Sequence, residues 1–91
     1  MRFEWNEKKS IVNKEKHGID FYAAKQLWKD KNRVEIQTLY SLENRRILIA
    51  KFNEKHWTAI FTIRGDSIRI ISVRRSRKKE VNLYDTQKNS K

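Results

Sequence analysis

The clearest periodic pattern of apolar residues predicts a helix near the start of the chain. Asp20 is suited to cap this helix, which we expect to continue to about Lys29. Its apolar residues recur at i, i+3, i+6 and i+7 and form one stripe: Phe21, Ala24, Leu27 and Trp28.

A more polar helix is predicted before it. Asn6 is a candidate N-terminal cap for a helix to about Lys16, and His17-Gly18 is typical of a helix end. Ile11 and Val12 are its only apolar residues, so we expect a surface helix with one shallow contact.

After Asp30 the pattern becomes extended. Four strands are expected, joined by turns at Ser41–Asn44, Asn53–Lys55 and Gly65-Asp66, the last tight enough to make its two strands antiparallel. Phe3 and Trp5 suit a short strand or an anchoring segment. The four strands are Val34–Leu39, Arg45–Phe52, Trp57–Arg64 and Ile68–Arg74.

The chain then closes with a helix that Ser76 would cap and that would run to about Tyr84. The order predicts an α+β fold, with two N-terminal helices, a roughly four-stranded antiparallel sheet and a C-terminal helix. We expect one domain over residues 1–86 and a frayed polar tail over residues 87–91.

Composition favours a folded chain and excludes several classes of protein. Of the 91 residues, 37% are hydrophobic and 36% are charged, but Leu, Ile, Val and Phe make up 25%, more than in typical disordered chains. The absence of cysteine excludes disulfides, thiolate zinc sites and a cysteine nucleophile. Without a membrane-spanning run or a signal peptide, a cytoplasmic location is expected.

Positive charge is concentrated in the second half. The net charge is +11, of which residues 1–45 contribute +3 and residues 46–91 contribute +8. This asymmetry indicates a polyanionic partner, with nucleic acid first, although an acidic protein, an anionic membrane surface or a merely cationic surface remain alternatives.

Five cations occupy six positions over residues 74–79. The cations predicted in the first turn of the last helix oppose the helix dipole, at a cost of up to about 1 kcal/mol each. Unpaired backbone N–H groups and cations together would make a phosphate receptor, so the cluster predicts a function unless it is only a solvated charge run. Its members are Arg74, Arg75, Arg77, Lys78 and Lys79.

Two further arginines lie on the preceding hairpin. Regular alternation places Arg69 on the sheet face away from the helices and Arg74 on the other face, with Arg64 close across the hairpin. Several arginines on an open sheet face are typical of an anion site or a partner site.

These residues fit metal-free RNA cleavage better than other catalytic chemistry. No metal site or phosphate-binding glycine loop is evident, and no cofactor is expected. The 2′-hydroxyl of RNA supplies the nucleophile, so the protein needs only proton carriers and cations. His17, Glu80 and Tyr84 are the candidate proton carriers, each with a plainer structural alternative as a helix-end or packing residue.

The sequence resembles the BrnT family of type II toxin–antitoxin systems. Three stretches carry the resemblance, and together they span nearly the whole chain: residues 3–9 with Asn13 and the Lys16–Phe21 string K-H-G-I-D-F; Glu43 and Arg45 before a strand; and Arg64–Arg74 (R-G-D-S-I-R-I-I-S-V-R) followed by Glu80 and Tyr84.

The resemblance implies a small ribonuclease of RelE-like fold. It implies inhibition by a cognate antitoxin, usually a BrnA-like ribbon-helix-helix DNA-binding protein, and binding of the complex to its own promoter DNA. The matching site positions are His17, Arg64, Arg69, Arg74, Glu80 and Tyr84.

The resulting hypothesis is a metal-independent endoribonuclease toxin. Arg69 and Arg74 would stabilise the transition state, one of the three proton carriers would act, and Arg64, Arg75, Arg77, Lys78 and Lys79 would hold the RNA backbone. The alternatives are a non-catalytic nucleic-acid-binding module and an interaction protein that docks an acidic partner.

Overall fold

The structure, a computed structural model that describes residues 2–38 and 44–89, confirms the α+β class. The predicted end of the second helix is a 3₁₀ segment. The elements are β1 (Arg2–Glu4), α1 (Glu7–His17), α2 (Phe21–Ala24), the 3₁₀ helix (Lys25–Lys29), β2 (Val34–Gln37), β3 (Arg46–Phe52), β4 (Lys55–Arg64), β5 (Ser67–Arg75) and α3 (Lys78–Asn89). The expected strand end at Leu39, the turn residues 41–43 and Glu43 lie outside the described residues.

The sheet has five strands rather than four and is not wholly antiparallel. Its order is β1-β5-β4-β3-β2, and the edge strand β1 pairs in parallel with β5 through Phe3 and Ile68. The expectation of a roughly four-stranded antiparallel sheet was wrong because the sequence left open whether Phe3 and Trp5 belong to a strand or to an anchoring segment, and only the pairing with β5 identifies the strand.

The core lies between the sheet and the N-terminal helices. The stripe of the second helix faces this core as predicted, and the Asp20 carboxylate accepts a hydrogen bond from the Ala23 amide at 2.8 Å. The Trp28 ring packs edge-on against Phe3 and Phe61, with centroids 5.2 Å apart in each case. Buried positions on the strands complete the core: Leu48, Ala50, Trp57, Ala59, Phe61, Ile68, Ile70 and Val73.

Helix α1 has the predicted ends but not the predicted contact. Asn6 caps its N-terminus, and Gly18 ends it with φ of +82°, which favours glycine. Ile11 and Val12 are exposed, and the residues buried against the fold are instead Ser10 and Asn13. The contact expected from apolar residues is therefore made by polar ones.

A β-bulge in β5 decides which side chains share a face. Phe61 pairs with Ile70 and Ile60 pairs with Ser72, so Ile71 has no opposite residue. The extra residue reverses the alternation beyond it. Ile70 and Val73 therefore both face the core, although regular alternation would separate them.

Helix α3 packs on the other face of the sheet, which we call the distal face. The ring of its Tyr84 lies edge-on to the His56 ring on β4, with centroids 4.9 Å apart. Ser76, the expected cap, instead shares a 2.8 Å hydrogen bond with the Thr58 hydroxyl. The helix runs to Asn89, so residues 87–89 are helical where a frayed tail was expected.

Candidate functional site

Arg69 and Arg74 lie on the same face of the sheet. Arg69 is paired with Thr62 and Arg74 with Thr58, and both positions are on the distal face. The expectation that these arginines occupy opposite faces was wrong, because the bulge at Ile71 reverses the alternation between them. Their partners are four positions apart on β4, so the two backbones are about 13 Å apart along the strand.

Arg69 has a weak protein partner. Its Nη1 lies 4.0 Å from Glu4 Oε2, and the two side chains are 30% and 40% exposed. An ion pair of this length and exposure contributes little to stability. The side chain of Arg64, at the exposed end of β4, has no hydrogen bond or ion pair with another described residue. Both guanidinium groups therefore retain donors for an external anion.

Arg74 is held by Glu80 in a two-bond ion pair. Its Nη1 and Nη2 each donate to a Glu80 carboxylate oxygen at 2.8 Å. Glu80 Oε1 also accepts from the Arg77 amide at 2.7 Å, and the Arg77 carbonyl accepts from the Glu80 and Val81 amides. This resembles half of a capping box. One carboxylate thus both orients Arg74 and fixes the start of α3.

The same contacts determine the ionisation of Glu80. The hydrogen bonds from Arg74, with further ones from the Arg77 amide and Thr58, outweigh the effect of burial and lower the pKa of Glu80 to about 2. Glu80 is therefore a carboxylate at neutral pH with its oxygens engaged. This favours a positioning role for Glu80 over proton transfer.

Tyr84 is buried and bonds to Asp30 rather than to Glu80. Its hydroxyl donates to Asp30 Oδ2 at 2.7 Å. Burial and the adjacent Asp30 carboxylate raise the pKa of Tyr84 well above its ordinary value. Burial tends to raise the pKa of Asp30, but hydrogen bonds from Tyr84 and from the Lys51 and Asn32 amides leave it below the ordinary value. Tyr84 thus anchors α3 to the segment before β2.

His17 lies on the other side of β5, in a groove between α1 and the strand edge. This α1–β5 groove has a volume of about 340 Å³, and its lining residues are Lys8, Lys9, Val12, Asn13, Lys16, His17, Ile71 and Ser72. Ser72 is paired with Ile60 between the levels of Arg69 and Arg74. His17 is therefore close to the middle of β5, apart from Glu80 and Tyr84.

The remaining predicted cations lie on two different surfaces of the molecule. Arg75 lies over the Trp57 ring, 5.5 Å from its centroid, and so projects to the face opposite Arg74. Arg77, Lys78 and Lys79 are exposed at the start of α3. The basic residues accordingly form a band around β5 rather than one compact pocket.

Sequence reasoning gave no structural role to Asn13, which holds β5 in place. Its amide group donates to the Val73 and Ile19 carbonyls and accepts from the Val73 amide, all within 3.1 Å. Asn13 thereby takes the place of a neighbouring strand beside the bulge. The sequence did contain a signal for this contact, a stripe of polar residues at helical spacing that consists of Ser10, Asn13 and His17.

The described residues contain neither a cluster placed to hold a metal ion nor a helix suited to cross a membrane. No group of three or more His, Cys, Asp or Glu side chains is placed to hold a metal ion. Within residues 2–38 and 44–89, no helix is long and apolar enough to cross a membrane.

Comparison with known proteins identifies a matching family. The sequence model of a family described as "Ribonuclease toxin, BrnT, of type II toxin-antitoxin system" matches residues 5–80. This range contains His17, the basic band and Glu80, and stops before Tyr84. A search of curated proteins finds no match.

Proposed function

The chain belongs to the family of BrnT ribonuclease toxins of type II toxin–antitoxin systems, and from this premise we propose that it is a metal-independent endoribonuclease. The observation that carries the proposal is the bulge at Ile71, beyond which Arg74 lies on the same face as Arg69. Two cations along one strand suit an RNA backbone that follows β5.

Arg69 and Arg74 supply the positive charge that the reaction requires. Attack by the 2′-oxygen on the adjacent phosphorus places extra negative charge on the phosphoryl oxygens, and fixed guanidinium donors stabilise that charge. Glu80 holds Arg74 in one orientation before RNA arrives, which lowers the cost of reorganisation in the transition state. Contact with the RNA backbone is extended by Arg64, Arg77, Lys78 and Lys79. Arg75 contacts an RNA strand that crosses to the opposite face of the sheet.

His17 is the proposed proton carrier, since histidine is the side chain suited to proton transfer near neutral pH. The 2′-hydroxyl loses its proton as the new P–O bond forms. The 5′-oxygen gains a proton as its bond to phosphorus breaks. The products are a 2′,3′-cyclic phosphate and a 5′-hydroxyl. The contacts of Glu80 and Tyr84 support structural roles for both residues.

An antitoxin is the partner that the family implies. We propose a BrnA-like antitoxin of the ribbon-helix-helix class, through which the complex contacts promoter DNA. The net charge of +11 favours an acidic segment on that partner. Unopposed, the toxin would cleave RNA, inhibit translation and arrest growth. Co-expression of the adjacent small gene should relieve the arrest.

The test is cleavage of RNA by purified protein in excess EDTA. We expect cleavage to persist, with cyclic-phosphate and 5′-hydroxyl ends, and to fall in Arg69→Ala, Arg74→Ala and His17→Ala. Lys29→Ala, an exposed cation at the end of the 3₁₀ helix, is the matched control.

Three outcomes would overturn parts of the proposal. Activity abolished by EDTA and restored by a divalent ion would refute metal independence. RNA that stays intact but binds in a salt-dependent manner would favour the non-catalytic binding module. A normal rate in Arg69→Ala would remove Arg69 from the site.

A further inference from the structure

Helix α1 presents cations to one side and carboxylates to the other. The α1–β5 groove contains Lys8, Lys9, Lys16 and His17, and no acidic side chain lines it among the described residues. A second depression on the opposite side of α1 is lined by Glu7, Glu15 and Asp20 together with Lys14. This segregation indicates a groove for an anion rather than a generally basic helix.

The groove exists because β5 extends beyond β1, its neighbour at the edge of the sheet. Strand β1 pairs with β5 only as far as Glu4 and Arg69, and the chain then turns into α1. Beyond that point Asn13 bonds to the edge of β5, at Val73. The lysines of α1 therefore lie beside a stretch of strand edge that no strand within residues 2–38 and 44–89 occupies.

The groove is continuous with the proposed cleavage site. Ser72 lines the groove and is also the β5 residue between the levels of Arg69 and Arg74. His17, which also lines the groove, is the proposed proton carrier. A strand of RNA with its scissile phosphate near Ser72 would place its flanking nucleotides along α1.

The spacing of the cations suits several nucleotides. Lys8 and Lys16 are eight residues apart, which corresponds to about 12 Å along a helix. A stacked nucleic-acid strand carries one phosphate per about 3.4 Å of its axis. The two ends of the groove therefore match phosphates three to four nucleotides apart.

Resting on the proposed ribonuclease function, we propose that the α1–β5 groove binds the backbone of single-stranded RNA beside the cleavage point. A groove of about 340 Å³ admits one sugar–phosphate backbone. Attack in line with the leaving oxygen also requires a nucleotide that can leave helical stacking. Lys8, Lys9 and Lys16 set affinity for longer substrates, without touching the reacting atoms.

Binding is measured by fluorescence anisotropy with a mixed-sequence 20-nucleotide RNA whose 2′-positions are methylated to prevent cleavage. Lys9→Gln/Lys16→Gln should weaken binding about tenfold or more at low salt. It should also lower the slope of log K against log salt by about 1.4, since each single-strand phosphate contact contributes about 0.7. Lys14→Gln, on the acidic side of the same helix, is the control, and melting curves confirm that each variant is folded.

Cleavage kinetics distinguish the role of this groove in substrate binding from the role of the catalytic groups. With a 20-nucleotide RNA pool, the double variant should raise KM about tenfold and leave kcat within twofold. With a dinucleotide pool, whose single phosphate cannot contact both ends of the groove, it should match the unsubstituted protein. A duplex of the same pool should compete poorly.

The outcomes distinguish this inference from the proposed function. Cleavage in EDTA with an unchanged KM and salt slope in the double variant would refute the groove and leave the ribonuclease intact. Equal competition by duplex would refute the preference for single strands. Absence of both cleavage and RNA binding by the unsubstituted protein would overturn both proposals.

Discussion

Two groups of charged residues around β5 use their hydrogen-bonding groups differently. Where α3 packs on the sheet, Arg74, Glu80, Tyr84 and Asp30 bond to protein groups at 2.7–2.8 Å. Arg64, Arg69 and His17 have weak partners or none among the described residues. Charged groups that are already bonded hold the fold together, whereas those with unused donors are available to a ligand. Arg74 contributes to both, since its bonds to Glu80 also orient it.

This difference explains how one cluster of cations can both stabilise the fold and bind RNA. The first turn of α3 carries Lys78 and Lys79 but also Glu80, whose carboxylate lies where the helix dipole favours an anion. Glu80 thereby offsets part of the cost of the neighbouring cations. Substitutions in each group should show whether the two groups act separately.

Arg69→Ala should have the largest effect, and on activity alone. Removing one preorganised donor from a developing negative charge lowers rates by about 100- to 1,000-fold. Stability should stay within about 0.5 kcal/mol, because the 4.0 Å contact with Glu4 contributes little. Cleavage rates and urea unfolding check the two parts. Arg74→Ala is the variant to compare, since it should lower both the cleavage rate and the stability. A large loss of stability in Arg69→Ala would show that Arg69 also holds the fold together.

Glu80→Ala should mainly affect stability. It leaves the Arg74 charge partly buried without its partner and removes the acceptor at the start of α3, at a cost of about 2–3 kcal/mol. For a domain of this size that lowers Tm by on the order of 10 °C. Glu80→Gln retains an acceptor for the Arg77 amide and should lose less. Calorimetry of the three proteins tests this, and an unchanged Tm in both variants would refute the role given to Glu80.

Acid should weaken the same contact. The pKa of Glu80 falls from its ordinary 4.5 to about 2 in the folded chain, so its contribution is complete above pH 4.5 and is lost as the pH falls towards 2. After allowance for solvent screening, the contribution is about 2 kcal/mol. The stability difference between the unsubstituted protein and Glu80→Gln should therefore narrow over this window. A constant difference from pH 6 to pH 2 would show that the ion pair does not couple to folding.

Tyr84→Phe should have the smallest effect. It removes one hydrogen bond to Asp30 and leaves those from the Lys51 and Asn32 amides, at a cost of about 1 kcal/mol. The cleavage rate should stay within threefold, with the same dependence on pH between 7 and 10. A hundredfold loss of rate in a folded variant would instead identify Tyr84 as a proton carrier.

Local patterns predicted most of the elements correctly. The caps at Asn6 and Asp20, the positive φ at Gly18 and the buried stripe of the second helix depend on neighbours within a few residues. Elements that depend on distant partners were not predictable in this way. Strand β1 is defined by its pairing with β5, and the contact of α1 is defined by an amide 60 residues away.

The sequence by itself determined the α+β class, the cationic character of the second half and the candidate site residues, because composition and short-range periodicity carry that information. The tertiary structure decided which candidates are near one another and which have unused hydrogen-bonding groups. The bulge at Ile71 is the clearest case. One unpaired residue places Arg69 and Arg74 on the same face, and only the pairing of β5 with β4 fixes where that residue lies.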